Sequence, residues 1–536
     1  MTVDTLRLES LGIGGHPLIQ PFIERLRLRQ LLADALGPVD RRHKLDPVDS
    51  LLLLVRNVTL CRHPLYGVPE WVRSFDPTHL DLVPELVHLV NDDRLGRALD
   101  RLFAADPRSL TTRVVVHMVE AFDLDLQCCH QDSTSITFSG EYAESAPRAD
   151  GRRPLRIVHG HNKDHRPDLK QLVWSLTVSA DGAVPVHYNV FDGNRTDDQL
   201  HIPTWEALRR VVGGPDFIYV ADCKLCTRDN MAHLDQAGGH FLTVLPRSRK
   251  EDARFRRYLV DHEVEWKEIW QRPYRRHPSE PAERFEAVEA PEPTAEGYRL
   301  VWYRSSAKWK QDQRLRDDAI QSARQQLQRL RARVGVRQLK TEEQVRAATE
   351  RILADTQTRE WVRVDVVPRE HHSHQQAGPG RPGPHTRYVR RTTTVYEPLV
   401  VLDEERIRAS AAADGIFPLV TNIARQDLPP LKALQIYKYQ PFVEKRHEQL
   451  KTAAQVVPVN YKSAARIEAF LFLYFLAVII HALLERDVRA AMKKQGLRRN
   501  RSVSGDAGRE IWNAGILGAS DGSPPPRVSA SACNDL

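Results

Sequence analysis

Apolar residues recur at spacings of three and four through the first 120 residues: Leu18, Phe22, Ile23 and Leu26, then Leu51 to Val55, then Leu86, Leu89, Leu95, Leu99 and Leu102. This is the period of helices with one buried face. Pro38, Pro64, Pro69, Pro77, Pro84 and Pro107 cut the pattern into short elements, because proline is excluded from helix interiors. Asp106-Pro107 opens one more helix, running to about Phe122. The pattern predicts an all-helical N-terminal domain over residues 1–122.

At residue 124 the period drops to two. Leu124, Leu126, Cys128, His130, Asp132, Thr134 and Ile136 alternate as they would along a strand. Two further strands, 172–178 and 184–190, flank Ser179-Ala180-Asp181-Gly182, whose Asp-Gly pair is a hairpin signal. A helix near 202–212, a strand from Phe217 to Ala221 ending on Asp222, another helix and a strand from Phe241 to Leu245 complete an α/β block over 123–247. Residues 248–430 read as a mixed α+β insertion. It holds a basic stretch from Arg247 to Arg257, strands at 298–303 and 361–367, one long helix over about 311–355 and a Gly/Pro/His loop at 371–385. Residues 431–492 carry a polar helix and then an apolar run, Ala469 to Ile480, too short for the roughly 20 residues that span a bilayer. It predicts a buried helix and no membrane partner. The tail, 493–536, is rich in Gly, Ser, Ala and Pro and reads as disordered.

Composition narrows the classes. A chain of 536 residues, 41% hydrophobic and 28% charged, is globular and long enough for several domains. Its 78 Lys and Arg against 70 Asp and Glu give a net charge of +8, which favours a polyanionic partner, nucleic acid first. Six irregularly spaced cysteines exclude a disulfide framework and fit a reducing compartment. The opening MTVDTLRLES has no basic stretch followed by an apolar core, so a cytoplasmic location is expected.

Several segments admit two or more readings. The long helix is rich in basic side chains, Arg324 and Arg331 among them, and is either a DNA-facing surface or a solvated charged face. The loop at 371–385 reads first as a mobile linker. A minor-groove arm around Gly380-Arg381-Pro382 and a metal site from His371, His372 and His374 are its alternatives. Lys163, Arg166 and Lys170, set among His159, His161 and His165, form either a DNA-phosphate surface or an inert basic loop. Cys223 and Cys226 read as small thiols at a helix start, with zinc or redox chemistry as alternatives.

Three carboxylates carry a ligand reading beside an ordinary one, a cap or turn residue for Asp132 and Asp222 and a solvated helix face for Glu444. Asp132 lies mid-strand, where a charge is costly to bury unless a cation meets it. Asp222 ends the run FIYVAD, at the strand end where α/β sheets place ligand groups. Glu444 shares one helical face with Tyr437, Gln440, Glu448 and Lys451. The spacing of Tyr437, Glu444 and Lys451 resembles the Tyr-x2-Arg-x3-Glu-x6-Lys signature of one subgroup of the DDE-type transposases of bacterial insertion sequences. Gln440 stands at the arginine position. Asp132 in HQDSTS and Asp222 in VADCKLCTRDN match the family's first and second acidic residues, and GHNKDHRPDLKQ and FDGNRTDD look like the surroundings of its first strands. The resemblance runs from about residue 10 to 490 and does not extend to the tail.

The resemblance implies a ribonuclease H-like α/β core, interrupted by the insertion, behind a helical region that binds the element's terminal inverted repeats. It implies two Mg²⁺ (or Mn²⁺) ions, with Asp132 bridging them and Asp222 and Glu444 each holding one. Lys451 would contact a DNA phosphate and Tyr437 would position the backbone near the cleaved end. The implied activity is metal-dependent cleavage at element ends and strand transfer into target DNA. Double-stranded DNA is the implied partner, with a homodimer in the DNA complex and a nucleoid-associated place in a bacterial cytoplasm. The alternative is a catalytically silent transposase-derived DNA-binding protein; the presence of all three carboxylates favours the enzyme.

Overall fold

The computed structural model describes residues 10–38, 44–105, 107–142, 153–273, 281–336, 339–454 and 463–497. Two compact units divide the chain: Met1–Leu242 with Gln435–Leu536, and Thr243–Leu434.

The first unit opens with α1 (His16–Arg25), α2 (Leu28–Leu36), α3 (Pro47–Leu60), α4 (Val68–Arg73), α5 (Asp92–Ala104) and α6 (Pro107–Phe122). Local chemistry starts these helices where the sequence indicates. Asp46 accepts from the Val48 amide ahead of α3 and Asn91 from the Arg94 amide ahead of α5, satisfying donors that a helix N-terminus leaves open.

β1 (Cys128–Phe138), β2 (Lys170–Ser179) and β3 (Pro185–Asp192) then form an antiparallel meander. α7 (His201–Val212) crosses to β4 (Ile218–Val220), which pairs parallel with β1, and α8 (Arg228–Gln236) crosses to β5 (His240–Val244), parallel to β4. The resulting order is β3-β2-β1-β4-β5, with β1 at the centre. β1 begins at Cys128 rather than at 124. The chain leaves α6 through Asp123 in a left-handed conformation, φ 48°, so Leu124 and Leu126 are buried anchors on the approach to the strand.

The second unit contains α9 (Lys250–Asp261), β6 (Lys267–Arg272), β7 (Glu283–Glu289), β8 (Arg299–Ser305), α10 (Ser306–Arg331), α11 (Glu342–Asp355), β9 (Val362–Gln376), β10 (Tyr388–Leu402), α12 (Glu404–Ala411), β11 (Ile416–Thr421) and the start of α13 (Pro430–Tyr437). Its strands β11, β8, β7 and β6 pair antiparallel in that order. Two sequence expectations are corrected here. The single helix over 311–355 is two helices, because Gly335 takes φ +83° and Thr341 with Gln344 builds a capping box that starts α11. The loop over 371–385 is shorter than expected: His371 to Gln376 belong to β9, paired residue by residue with β10. The basic stretch beginning at Arg247 is largely α9, with Arg249 paired to Glu251 and Glu296, and Arg256 to Asp252.

The chain returns to the first unit through α14 (Pro441–Ala454) and α15 (Ala464–Lys494). By length and composition α15 could cross a membrane, but its apolar window is mostly buried, packed on α3 and α5. α15 takes up the first residues of the tail expected to be disordered. Residues 498–536 lie outside the described residues.

Candidate active site

The site begins with the register of β1 and β4. Cys128, Cys129 and His130 stand opposite Ile218, Tyr219 and Val220. Two residues beyond the last of these pairs come Asp132, still on β1, and Asp222, in the turn that follows β4. The flanking residues hold the two segments in place: Ile136, Phe217, Tyr219, Val220 and Ala221 are all buried. Asp132 Oδ1 accepts from the Ser133 amide at 2.8 Å. Asp222 Oδ1 accepts from the Lys224 amide at 3.0 Å, an Asx turn that ends the strand.

α14 is fastened to this strand from one residue before its start. Gln440 Nε2 donates to the Gln131 carbonyl at 2.7 Å, and its Oε1 lies 3.1 Å from His130 Nδ1. Arg446, buried on the same helix, donates to the carbonyls of Ala183 and Gly182 at 3.0 and 3.1 Å and pairs with Glu485 at 3.0 Å. Both groups face inward and are engaged with protein atoms. Val443 and His447 share the buried face, while Glu444 is exposed. His447 Nε2 lies 3.7 Å from Asp132 Oδ2.

A lysine braces the acid pair. Lys163 Nζ donates to the Ser133 carbonyl at 2.7 Å and to Ser133 Oγ at 2.9 Å, and it pairs with Asp197 at 3.0 Å. Ser133 Oγ in turn donates to Asp197 at 2.7 Å. Lys451 forms an ion pair with Asp164. Arg166 is paired to Asp168 on the surface, and Lys170 Nζ reaches the Tyr142 carbonyl at 3.5 Å. In the second unit Arg324 is exposed on α10, whereas Arg331 pairs with Glu397 at 2.9 Å.

The electrostatics follow from burial. Desolvation raises the Asp132 carboxyl above the usual range, opposed by the charges of Lys163 and Lys451 and by the Ser133 amide. Desolvation also raises Asp222, and the nearby charge of Asp132 pushes it further the same way. Burial acts to raise Asp197 as well, but the Lys163 charge and the hydrogen bonds of Ser133 and Lys163 outweigh it and hold that carboxyl low. Tyr437 is pushed up to about 12, first by burial and then by the charges of Asp222, Cys223, Glu444 and Asp132. Its hydroxyl therefore senses all three of the singled-out carboxylates. Burial drives His447 down to about 3, with Lys163 and Lys451 adding to the shift, so the ring facing Asp132 is neutral.

Two half-buried, mutually repelling carboxylates make a site that gains by admitting a cation. Among the described residues no three His, Cys, Asp or Glu side chains are gathered as a ready-made metal cage. The acid pair and the separately mounted Glu444 offer hard oxygen donors only, and Mg²⁺ characteristically takes one or two carboxylates and completes its shell with water and phosphate oxygens. Cys223 and Cys226 lie in the turn before α8 and neither is in a disulfide. The alternation and the helical face pointed to the three carboxylates. They did not point to His447, Lys163 beside Asp132, or Asp197; the spacing of His447, three residues past Glu444, is the one local cue.

Comparison with known proteins adds the family. Residues 8–116 match a domain of unknown function, DUF4277, and residues 131–480 match the family described as transposase DDE domain. None of the curated protein sequences compared with it matches the chain. Among solved structures, a piggyBac transposase synaptic complex with hairpin DNA is 9% identical over 94% of this chain and 79% of its own, with a TM-score of 0.37. A Mos1 transposase paired-end complex with left transposon end is 13% identical over 38% of this chain and 60% of its own, with a TM-score of 0.15. The sequence match takes in most of β1, Asp132, Asp222, the whole second unit, Glu444 and most of the apolar part of α15, well over half the chain, and on that ground this protein belongs to the family of transposases with a DDE domain.

Proposed function

We propose that this transposase cleaves DNA at the ends of its own mobile element and joins those ends to target DNA, with Asp132, Asp222 and Glu444 as the metal-holding carboxylates. The observation that carries the reading is the acid pair, Asp132 on β1 and Asp222 in the turn after β4, with the helix bearing Glu444 fastened to the residues next to Asp132 through Gln440. The strand order β3-β2-β1-β4-β5, with the first acid on the central strand, supports a ribonuclease H-like core.

Asp132 and Asp222 would hold divalent ions, Mg²⁺ or Mn²⁺, with Glu444 completing the set. Bound there, such ions activate an attacking oxygen and stabilise the leaving one. The chain's own residues do the rest. Lys163 holds Ser133 and Asp197 and so fixes the backbone that aims Asp132. Lys451, now paired with Asp164, would exchange that partner for a DNA phosphate. Tyr437, a neutral phenol whose pKa burial raises further, would donate a hydrogen bond to the backbone near the cut. Arg166, Lys170 and Arg324 would meet phosphates further along the duplex, and two chains would act together because two ends must be joined.

The test is incubation of the full chain with a DNA fragment carrying the element's terminal inverted repeats and Mg²⁺, read as free 3′ hydroxyls and joined products. Asp132→Ala, Asp222→Ala and Glu444→Ala are each expected to lower cleavage by at least about a hundredfold, with DNA binding retained. Wild-type cleavage by any one of them removes that residue from the site. Binding without cleavage by the unsubstituted chain replaces the enzyme with the silent DNA-binding reading.

A further inference from the structure

The ribbon of β9 and β10 is unlike the rest of the second unit. Its proximal end is an ordinary core element: Val362, Val364 and Leu402 pack with Ile320, Leu327 and Leu330 of α10 and with Leu353 of α11. There the surface charges come in pairs, Arg331 and Arg369 both on Glu397, and Arg363 on Asp365. Past Glu370 and Thr394, which face each other, the composition changes. From His371 to Arg391 the chain holds four arginines, Arg381, Arg387, Arg390 and Arg391, and four histidines, with no Asp or Glu. All four arginines are exposed, and Arg391 reaches only Gln375, at 3.4 Å.

A merely solvated strand edge carries mixed charge, as the proximal end does. A long surface of one sign costs self-repulsion and is neutralised by an anionic partner. Geometry selects the partner. Strands of 15 residues reach about 50 Å, and two strands about 4.8 Å apart with side chains attached match the roughly 12 Å width of a DNA major groove, which admits a two-stranded ribbon. Alternation places Arg390 and its cross-strand neighbour His374 on one face, and Arg391 with Ser373 on the other, so both walls of a groove are within reach. Thr392, Thr393 and Gln375 supply hydrogen-bonding groups between the charges.

We propose that the distal half of the β9–β10 ribbon, residues 371–391, is a DNA-binding arm that enters a groove of duplex DNA. This rests on the reading of the chain as a DNA-cutting transposase and assigns part of its grip to a segment outside the acid site.

The test uses the full chain and a 40-base-pair duplex of arbitrary sequence, with affinity measured across a KCl series. Each lost phosphate contact removes about 0.9 from the slope of log K against log salt. The triple variant Arg381→Ala, Arg390→Ala, Arg391→Ala is therefore expected to lose about two to three units of slope and at least about tenfold in affinity at low salt. The corresponding triple lysine variant should keep most of the slope. A control triple on the same unit, Arg254→Ala, Arg314→Ala, Arg346→Ala, should change the slope by less than half as much. An unchanged slope in the ribbon variant, or an equal loss in the control, overturns the arm while leaving the transposase reading in place. Failure of the unsubstituted chain to bind DNA overturns both.

Discussion

Gln440 shows how one polar side chain can serve a site from inside the fold. Its amide satisfies the Gln131 carbonyl and meets His130, so it fixes the distance between the strand bearing Asp132 and the helix bearing Glu444. Gln440→Ala leaves a buried carbonyl without its donor, at a cost of about 1–3 kcal/mol. A lower urea midpoint with an unchanged m-value is the expected result; an unchanged midpoint would show that α14 is held by its apolar contacts alone. The sequence placed Gln440 on the face of Glu444 but could not say that this face splits, with Gln440 turned inward and Glu444 outward. Facing is a matter of what packs on the helix, and here that is β1, some 300 residues upstream. The same limit hid His447 and Lys163, whose neighbours at Asp132 are distant in the chain.

At the scale of elements, the two motifs GHNKDHRPDLKQ and FDGNRTDD owe their glycines to one crossing of backbones. A Cβ on Gly193 would stand 2.0 Å from the Gln171 carbonyl oxygen and 2.5 Å from that of Val158, and one on Gly160 would stand 2.0 Å from the Gly193 carbonyl oxygen. The crossing carries the segment that delivers Lys163 to Ser133. Gly193→Ala forces backbone apart, which costs about 1–3 kcal/mol or more. It is expected to lower the melting temperature, and a variant that melts like the wild type would mean that the crossing is loose. Elements rich in apolar residues were legible from the sequence: α7, β2, β3, β4 and β5 lie within a few residues of where the pattern put them. β6, β7, β10 and β11 were not. β6 carries Lys267, Glu268 and Arg272 and is nowhere fully buried, and most of β10 is exposed on both faces, so neither writes a period of two in apolar residues. β11 is short and contains Pro418.

Across the first unit, the last described helix joins the first ones. α15 packs on α3 and α5, Arg466 pairs with Asp100 at 2.7 Å, and His481 Nε2 lies 2.9 Å from the Thr59 carbonyl oxygen. The helical leader and the site-bearing sheet should therefore unfold together. Leu473→Ala, which opens a cavity at a fully buried position of α15, is expected to cost about 2–5 kcal/mol and to lower hydrogen-exchange protection in α3 and α5 as well as in β1. Protection that persists in α3 and α5 would make the leader an independent domain. By itself the sequence carried the periods of many elements and the likeness to the family, because hydrophobic spacing and short motifs are properties of neighbouring residues. Only the tertiary structure decided that Asp132 and Asp222 each follow the paired stretch of β1 and β4 by two residues, that Gln440 and Arg446 face inward, and that residues 371–376 belong to a strand, because strand register and the burial of polar groups depend on partners brought together from far along the chain.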